Sequence, residues 1–524
     1  MTKSIFILLF GLTIALSSCR KDFETEPSSG ALEFSKDTVY LDTVFATIGS
    51  STYTLKVYNR SDKDISIPTL KLAKDDSKYR IMVDGMTGED GPDADNIGDG
   101  KVFHNVELLA NDSLYVFIET TWDVATGNPT EFLYTDEIQF DSGSNFQKVN
   151  LVTLIRDAVF LYPHVVGGTR ESLLLGVDEN NDEVRINGFE LDANDPINGN
   201  EFVFTNAKPY VIYGYAGIPA GKTLQINPGA RVHFHAESGM VVQPGGTLKI
   251  SGTPSGPANP LENEVVFEGD RLEPDFSNVP GQWGTIWFRQ GSINNSIEHL
   301  TLHNATVGLL VENASLFPIN NSQIYDCSNV GILARTANIT SNNLVVNTAG
   351  QQCLALTQGG TYDFTHATIN NNWNSSNQLA VLLDDYRSEN NVAVEFYNMQ
   401  AAFKNSIIYG SNNIELFLDR QNPITTPAAW TATFDHCLIK FGDQGTTLEG
   451  NPFYNLIRNG ANGNLLNLDP KFQNINRNKL NIDDTSNAVA KGNIAYIQPD
   501  INNTPRSSPP DLGAYQHAAF PAAP

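Results

Sequence analysis

Basic residues are scarce in this chain of 524 residues: 33 lysines and arginines stand against 59 aspartates and glutamates, a formal net charge of −26. A surface of that sign repels polyphosphate and anionic lipid, which excludes nucleic acid as a partner. Cysteine is scarce too, with four in all and no CxxC pair. Cys327, Cys353 and Cys437 follow Cys19 at a distance, so the body can form one disulfide at most, and the three are read as small buried hydrophobes. Long apolar runs are missing beyond the first residues: nothing approaches the roughly 20 residues that cross a bilayer as a helix. Two or three ordinary domains fit the length.

What is there begins with an export pattern. Met1-Thr2-Lys3 precedes an apolar run over residues 5–16 and then Ser17-Ser18-Cys19, the order of a secretory signal. Leu16-Ser17-Ser18-Cys19 resembles the lipobox of bacterial lipoproteins, which implies a signal peptide over 1–18, a diacylglycerol on the Cys19 thiol and a membrane partner through that lipid. Residues 19–30 are polar, acidic and rich in turn formers, as in a solvated tether. They resemble the charged signals that place some outer-membrane lipoproteins on the cell surface, the location expected here.

Over residues 31–157, short strands alternate with turns and no helical period intervenes. Tyr53-Thr54-Leu55-Lys56-Val57-Tyr58 has the period of two of a half-buried strand, and Asn59-Arg60-Ser61-Asp62 supplies the turn after it. Such spacing predicts a β-sandwich. The order Leu32-Glu33-Phe34-Ser35, Leu55-Lys56-Val57-Tyr58-Asn59 and Leu108-Leu109-Ala110-Asn111-Asp112-Ser113 resembles Ig-like domains of the abnormal-spindle and hydin type, which implies a spacer or contact module. Its loop at 89–99 carries Asp93, Asp95 and Asp99 between glycines, a hard-oxygen set suited to calcium but without the EF-hand order. A plain solvated loop is the expectation and no cofactor is called for, with calcium as the alternative at this loop.

Behind it, a repeat sets the fold. Leu302, Ile324, Leu344 and Ile369 head similar segments of 20 to 25 residues, each with a Val-Gly or Asn-rich corner. Short strands with one inward face bury it only when the next coil stacks, which predicts an all-β chain ending in a right-handed parallel β-helix. Asn304, Asn329, Asn342, Asn343, Asn347 and Asn370 to Asn372 suit left-handed corners and amide stacking. The expected limits are a linker and N-terminal cap over 158–220, the helix over 221–464 and a closing segment over 465–524. Asp469-Pro470-Lys471-Phe472 and Asp511-Leu512-Gly513-Ala514-Tyr515 resemble the closing segment of β-helix repeat proteins of the pectate-lyase-like superfold. That superfold hosts lyases, glycosidases and inert surface proteins alike.

Candidate sites follow from chemistry. A glycosidase needs two carboxylates across a sugar. Asp384 and Asp385 should point to opposite strand faces, so Asp385 is paired with Asp419 of a neighbouring coil. A lyase needs a base near a neutralised uronate, for which Arg387 and Arg420 are the candidates. The Gly-His-Gly and Arg-x-Lys of polygalacturonases are missing. His233 and His235 share a strand face but lack an evident third metal ligand, and His299 and His303 are too far apart along a strand to chelate together. In Gly281-Gln282-Trp283-Gly284-Thr285-Ile286-Trp287-Phe288, alternation puts Trp283 and Trp287 on one outer face, a platform for a sugar ring that Trp373 and Tyr386 would extend. The expectation is a lipid-anchored, non-catalytic envelope protein whose β-helix binds polysaccharide or a cell-surface protein. A polysaccharide lyase or glycoside hydrolase is the alternative.

Overall fold

The computed structural model describes residues 24–520, apart from 46–48, 91–96, 122–130, 179, 257–258, 260, 313–314, 422–427 and 459. It divides after Asp157 into two compact units. Cys19, Asp93 and Asp95 lie outside the described residues.

The first unit is an Ig-like sandwich of a six-stranded and a four-stranded sheet. Tyr53–Tyr58 pairs antiparallel with Ser113–Thr120, so Leu55 and Val57 face Val116 and Leu114 in the core while Lys56 faces out against Tyr115. The chain changes sheets early: Glu33–Phe34 joins the smaller sheet, and Thr38–Phe45 runs parallel to Gln147–Arg156 in the larger. Leu41, Leu70, Ile81, Val116, Ile138 and Leu151 fill the space between the sheets.

The second unit is a right-handed parallel β-helix with three sheets. The first sheet runs from Val159–Leu161 through Tyr210–Ile212 and Arg231–Phe234 to Leu465–Leu466. The second holds Ile286–Phe288, Val307–Val311, Leu379–Asp384 and Leu416–Asp419, and the third holds Thr223–Ile226, Thr247–Ser251, Met399–Lys404 and Trp430–Asp435. In two coils the second and third sheets share one bent strand, Val330–Asn342 and Gln352–Thr365. The helix therefore begins well before Gly221, because the segment 158–220 already contributes coils. The inward rows are continuous: Ile226, Ile250, Ile297 and Ile319 stack in register, then Ser341, Phe364, Phe403 and Phe434. In the first sheet the in-register series is Leu302, Ile324, Val346 and Ile369, so Val346 rather than Leu344 is the coil equivalent.

One corner explains how the coils stay in step. His299, Asn321, Asn343, His366, Asn405 and His436 occupy the same turn from third to first sheet, each with φ between 46° and 54°. Asn and His tolerate this left-handed backbone better than other residues carrying a Cβ. Their side chains bond from coil to coil, Asn343 Nδ2 to Asn321 Oδ1 at 2.8 Å and Asn405 Nδ2 to His366 Nε2 at 3.2 Å. Asn304 is a left-handed corner as expected, whereas Asn347 and Asn370 lie within strands and stack there, Nδ2 of Asn370 on Oδ1 of Asn347 at 2.7 Å.

The end of the solenoid is closed by residues 443–458, whose Tyr454 and Ile457 join the helix core and whose Tyr454 hydroxyl accepts from Leu418 N–H at 3.1 Å. The closing segment does something else. Residues 467–520 run back along the outer face of the first sheet as a strap, burying Leu480, Ile482, Ile501, Leu512 and Tyr515 against Tyr325, Val345, Ile407 and Leu438. Cys327, Cys353 and Cys437 are free and buried, and burial pushes the Cys437 thiol up to about 12. All three act as small apolar side chains.

Candidate functional site

The outer face of the second sheet carries two parallel rows. Trp287, Leu310, Leu333, Ala355, Leu382 and Phe417 are partners in register, one per coil, all pointing away from the core and all but Ala355 partly exposed. Residues two positions further on share their face. These are Arg289, Glu312, Arg335, Thr357, Asp384 and Asp419. Six strands at the usual parallel spacing give each row a length of about 24 Å. The face is framed at its start by the hairpin Ser172–Val177 with Glu183–Glu190, whose Leu174 and Leu175 carbonyls accept from Gln243 and Arg289. At its far end stands a second hairpin, Tyr386–Glu389 with Val392–Phe396.

The polar row is internally braced. Glu312 accepts from Trp287 Nε1 and from Arg335 Nη1, both at 2.8 Å, and Arg289 donates to Gln243 Oε1 at 2.6 Å. Trp287 is thereby fixed with its ring half-buried beneath the Arg289 guanidinium, 5.6 Å from the ring centre. Trp283 does not join it. It is 1% exposed, stacked on Phe234 at 4.3 Å, with Nε1 donating to the His303 carbonyl at 2.8 Å. The expected alternation fails because the strand covers only Ile286–Phe288. Gly284 breaks it at a point where any Cβ would meet the Tyr215 hydroxyl at 2.1 Å. The two tryptophans therefore do not share a face; Trp287 and Phe417 stand at the two ends of the apolar row. Trp373 sits partly buried in the loop leading from the first to the second sheet and belongs to neither row.

Asp384 and Asp419 are register partners in adjacent coils. Asp384 Oδ1 accepts the Gln358 N–H at 2.7 Å, and burial, with help from the neighbouring carboxylates, lifts its pKa to about 6. Asp419 accepts from the Tyr386 hydroxyl and from Gln421 Nε2, each at 2.7 Å. Asp385 takes the opposite direction, as alternation requires. It is fully buried, and its Oδ1 accepts the Gln421 N–H at 3.0 Å while its carbonyl accepts the Tyr397 N–H at 2.8 Å, so it fixes the base of the hairpin. The carboxylate pair on the face is thus Asp384 with Asp419, not Asp385 with Asp419.

The lyase candidates are placed otherwise. Arg387 is clasped by Glu389 and Glu395 at 2.5 and 2.7 Å, which holds its guanidinium protonated and unfit to act as a base, and Arg420 is exposed at the strand end. His235 pairs through Nδ1 with Asp270 at 2.7 Å, and His233 is buried beside Glu268. His299 is one of the corner residues, and burial lowers the His303 ring to about 4. Among the described residues no three His, Cys, Asp or Glu side chains come together as metal ligands. Asp99 is bound through its N–H to the Glu89 carbonyl at 2.9 Å.

Sequence patterning offers no sign of Glu415. It is fully buried at the corner before the second sheet, with Oε1 accepting from Asn412 N–H at 2.7 Å and Gln378 Nε2 at 3.3 Å. Burial raises it to about 7. The folded chain therefore binds a proton here that the unfolded chain releases near pH 4.5, so stability is lost as pH rises towards 7, by at most about 3 kcal/mol. Glu415→Gln is expected to raise the melting temperature relative to the parent at pH 7.5 and to lose that advantage at pH 4.5. An equal difference at both pH values would contradict it.

No family model and no curated relative matches the chain. Among solved structures, it is similar to pectate lyase Pel9A, with 12% identity, 60% of this chain and 89% of that chain covered, and a TM-score of 0.23. A PapD-like domain of human CEP192 matches at 14% identity over 27% of this chain and 94% of that one, with a TM-score of 0.15. A family 123 glycoside hydrolase from Clostridium perfringens matches at 7% identity over 26% of this chain and 30% of its own, with a TM-score of 0.17. The fold assignment stands on the strand pairing described above.

Proposed function

We propose that the β-helix binds an extended polysaccharide along the outer face of its second sheet, and that a lipid on Cys19 holds the protein at the cell envelope. The observation that carries the binding reading is the pair of in-register rows, apolar from Trp287 to Phe417 and polar from Arg289 to Asp419. A sugar chain presents the same two chemistries, C–H faces that pack on apolar and aromatic side chains and hydroxyls that both donate and accept. A repeating ligand suits a repeating face. The test is retention on immobilised polysaccharides. Trp287→Ala combined with Phe417→Ala should weaken retention by about tenfold or more, the scale of losing two aromatic contacts; unchanged retention would sink the reading. For the anchor, Cys19→Ala should move the protein from the membrane to the soluble fraction.

Hydrolysis is the second reading, favoured by one observation: Asp384 and Asp419 stand side by side, and Asp384 is raised to about 6, a value fit for a general acid. Neighbouring strands set these carboxyls near the separation of a retaining glycosidase, about 5 Å. If the protein cleaves the chain it binds, new reducing ends appear and both Asp384→Asn and Asp419→Asn abolish them while retention persists. Binding without new reducing ends leaves the face as a binding surface alone.

A further inference from the structure

The strap and the first sheet enclose a cleft of about 460 Å³ on a different side of the β-helix from the second-sheet face. That volume lies in the range of small-molecule sites, but the walls are polar where most such sites are apolar. Asn372, Tyr409 and Ser411 come from the first sheet and its corner, while Asp469, Lys471 and Gln473 come from the strap. Tyr409 and Phe472 meet edge to face at 6.5 Å, and the Lys440 ammonium stands 5.4 Å from the Tyr409 ring.

The walls are held in place before any ligand arrives. Asn347 Nδ2 donates to the Ile475 carbonyl at 3.0 Å and to Asn478 Oδ1 at 2.6 Å, and Asn372 Nδ2 donates to Asn476 Oδ1 at 2.9 Å. Asn474 and Lys479 exchange two backbone hydrogen bonds of 2.9 Å, which closes the strap's turn. A cleft pinned in this way loses little entropy when it binds.

We propose that this cleft is a second, separate carbohydrate site, which takes a neutral monosaccharide or disaccharide. Its amides, hydroxyls, carboxylate and ammonium supply donors and acceptors together, as adjacent sugar hydroxyls require, and an aromatic ring is at hand for a C–H face. Among the residues that line the cleft, the one carboxylate, Asp469, and the one ammonium, Lys471, balance, which suits a neutral ligand. Because none of these residues belongs to the second-sheet rows, the proposal stands or falls independently of polysaccharide retention.

The experiment is calorimetric titration of the whole protein with glucose, galactose, N-acetylglucosamine, cellobiose and lactose, with melting temperature followed alongside. At least one sugar should bind saturably. Asp469→Asn with Lys471→Ala should weaken that binding by about tenfold at unchanged melting temperature and leave polysaccharide retention as it was. Gln473→Ala, on the same wall, should weaken it as well. No saturable binding by any of the five sugars, or either variant binding as tightly as the parent, would overturn the proposal.

Discussion

Removal of residues 467–524 is expected to leave a β-helix that does not stay folded and soluble. The strap buries Leu480, Ile482, Ile501, Leu512 and Tyr515, and each large apolar side chain contributes about 1.5–3 kcal/mol by leaving water. The gross loss is of order 10 kcal/mol, offset in part by the entropy regained when the strap is no longer ordered. That loss is comparable with the whole stability of an ordinary domain. Truncation also bares two apolar patches on the first sheet, Tyr325 with Val345 and Ile407 with Leu438, surfaces prone to self-association. Polar locks add to the apolar ones: buried Arg506 donates to Asn343 Oδ1 and to the Gly513 carbonyl, both at 2.9 Å, and Tyr515 donates to Gln323 Oε1 at 3.0 Å. Thermal melting followed by circular dichroism, with dye binding to exposed apolar surface, reads the result. A truncated chain that melts within a few degrees of the parent would show that the strap is dispensable.

Trp283→Ala should cost about 3–5 kcal/mol, the usual loss for a fully buried tryptophan. The indole fills the corner of one coil, stacks on Phe234 and satisfies the His303 carbonyl. Trp283→Phe keeps the stack and loses the hydrogen bond, so about 1–2 kcal/mol is expected there. Urea unfolding of the two variants separates packing from hydrogen bonding. If neither variant shifts the transition, Trp283 is not the core residue described here. The same experiment tells it apart from Trp287, whose replacement should act on retention and little on stability.

The fold was legible because it rests on periodicity. Alternation in Tyr53–Tyr58 gave a sandwich strand, and recurrence near 22 residues gave the coils; both are local patterns that packing preserves. What stayed hidden depends on contacts distant in sequence. Leu344 looks as good a coil marker as Val346, and only the pairing with Ile324 and Ile369 separates them. Trp283 shares the parity of Trp287, yet a glycine forced by the approach of Tyr215 takes it out of the strand and into the core. Alternation puts the two acids of Asp384-Asp385 on opposite faces, but which one faces outward is fixed by inward-facing Leu383 and by the hairpin base at Tyr397. Nothing in the composition of residues 467–520 says that they run back along a sheet rather than cap its end. Glu415 gives no signal because, beside the local Asn412, its environment is completed by Gln378, which coil stacking brings from 37 residues away.

The measurement closest to the central proposal is hydroxyl-radical footprinting of the protein with and without a retained polysaccharide. Protection should fall together on Trp287, Leu333, Leu382 and Phe417, in the line that the second sheet draws, and on Tyr386 of the hairpin at its far end. Protection confined to the sandwich or to the third sheet, with these five side chains as reactive as before, would contradict the assignment of the second sheet as the binding face.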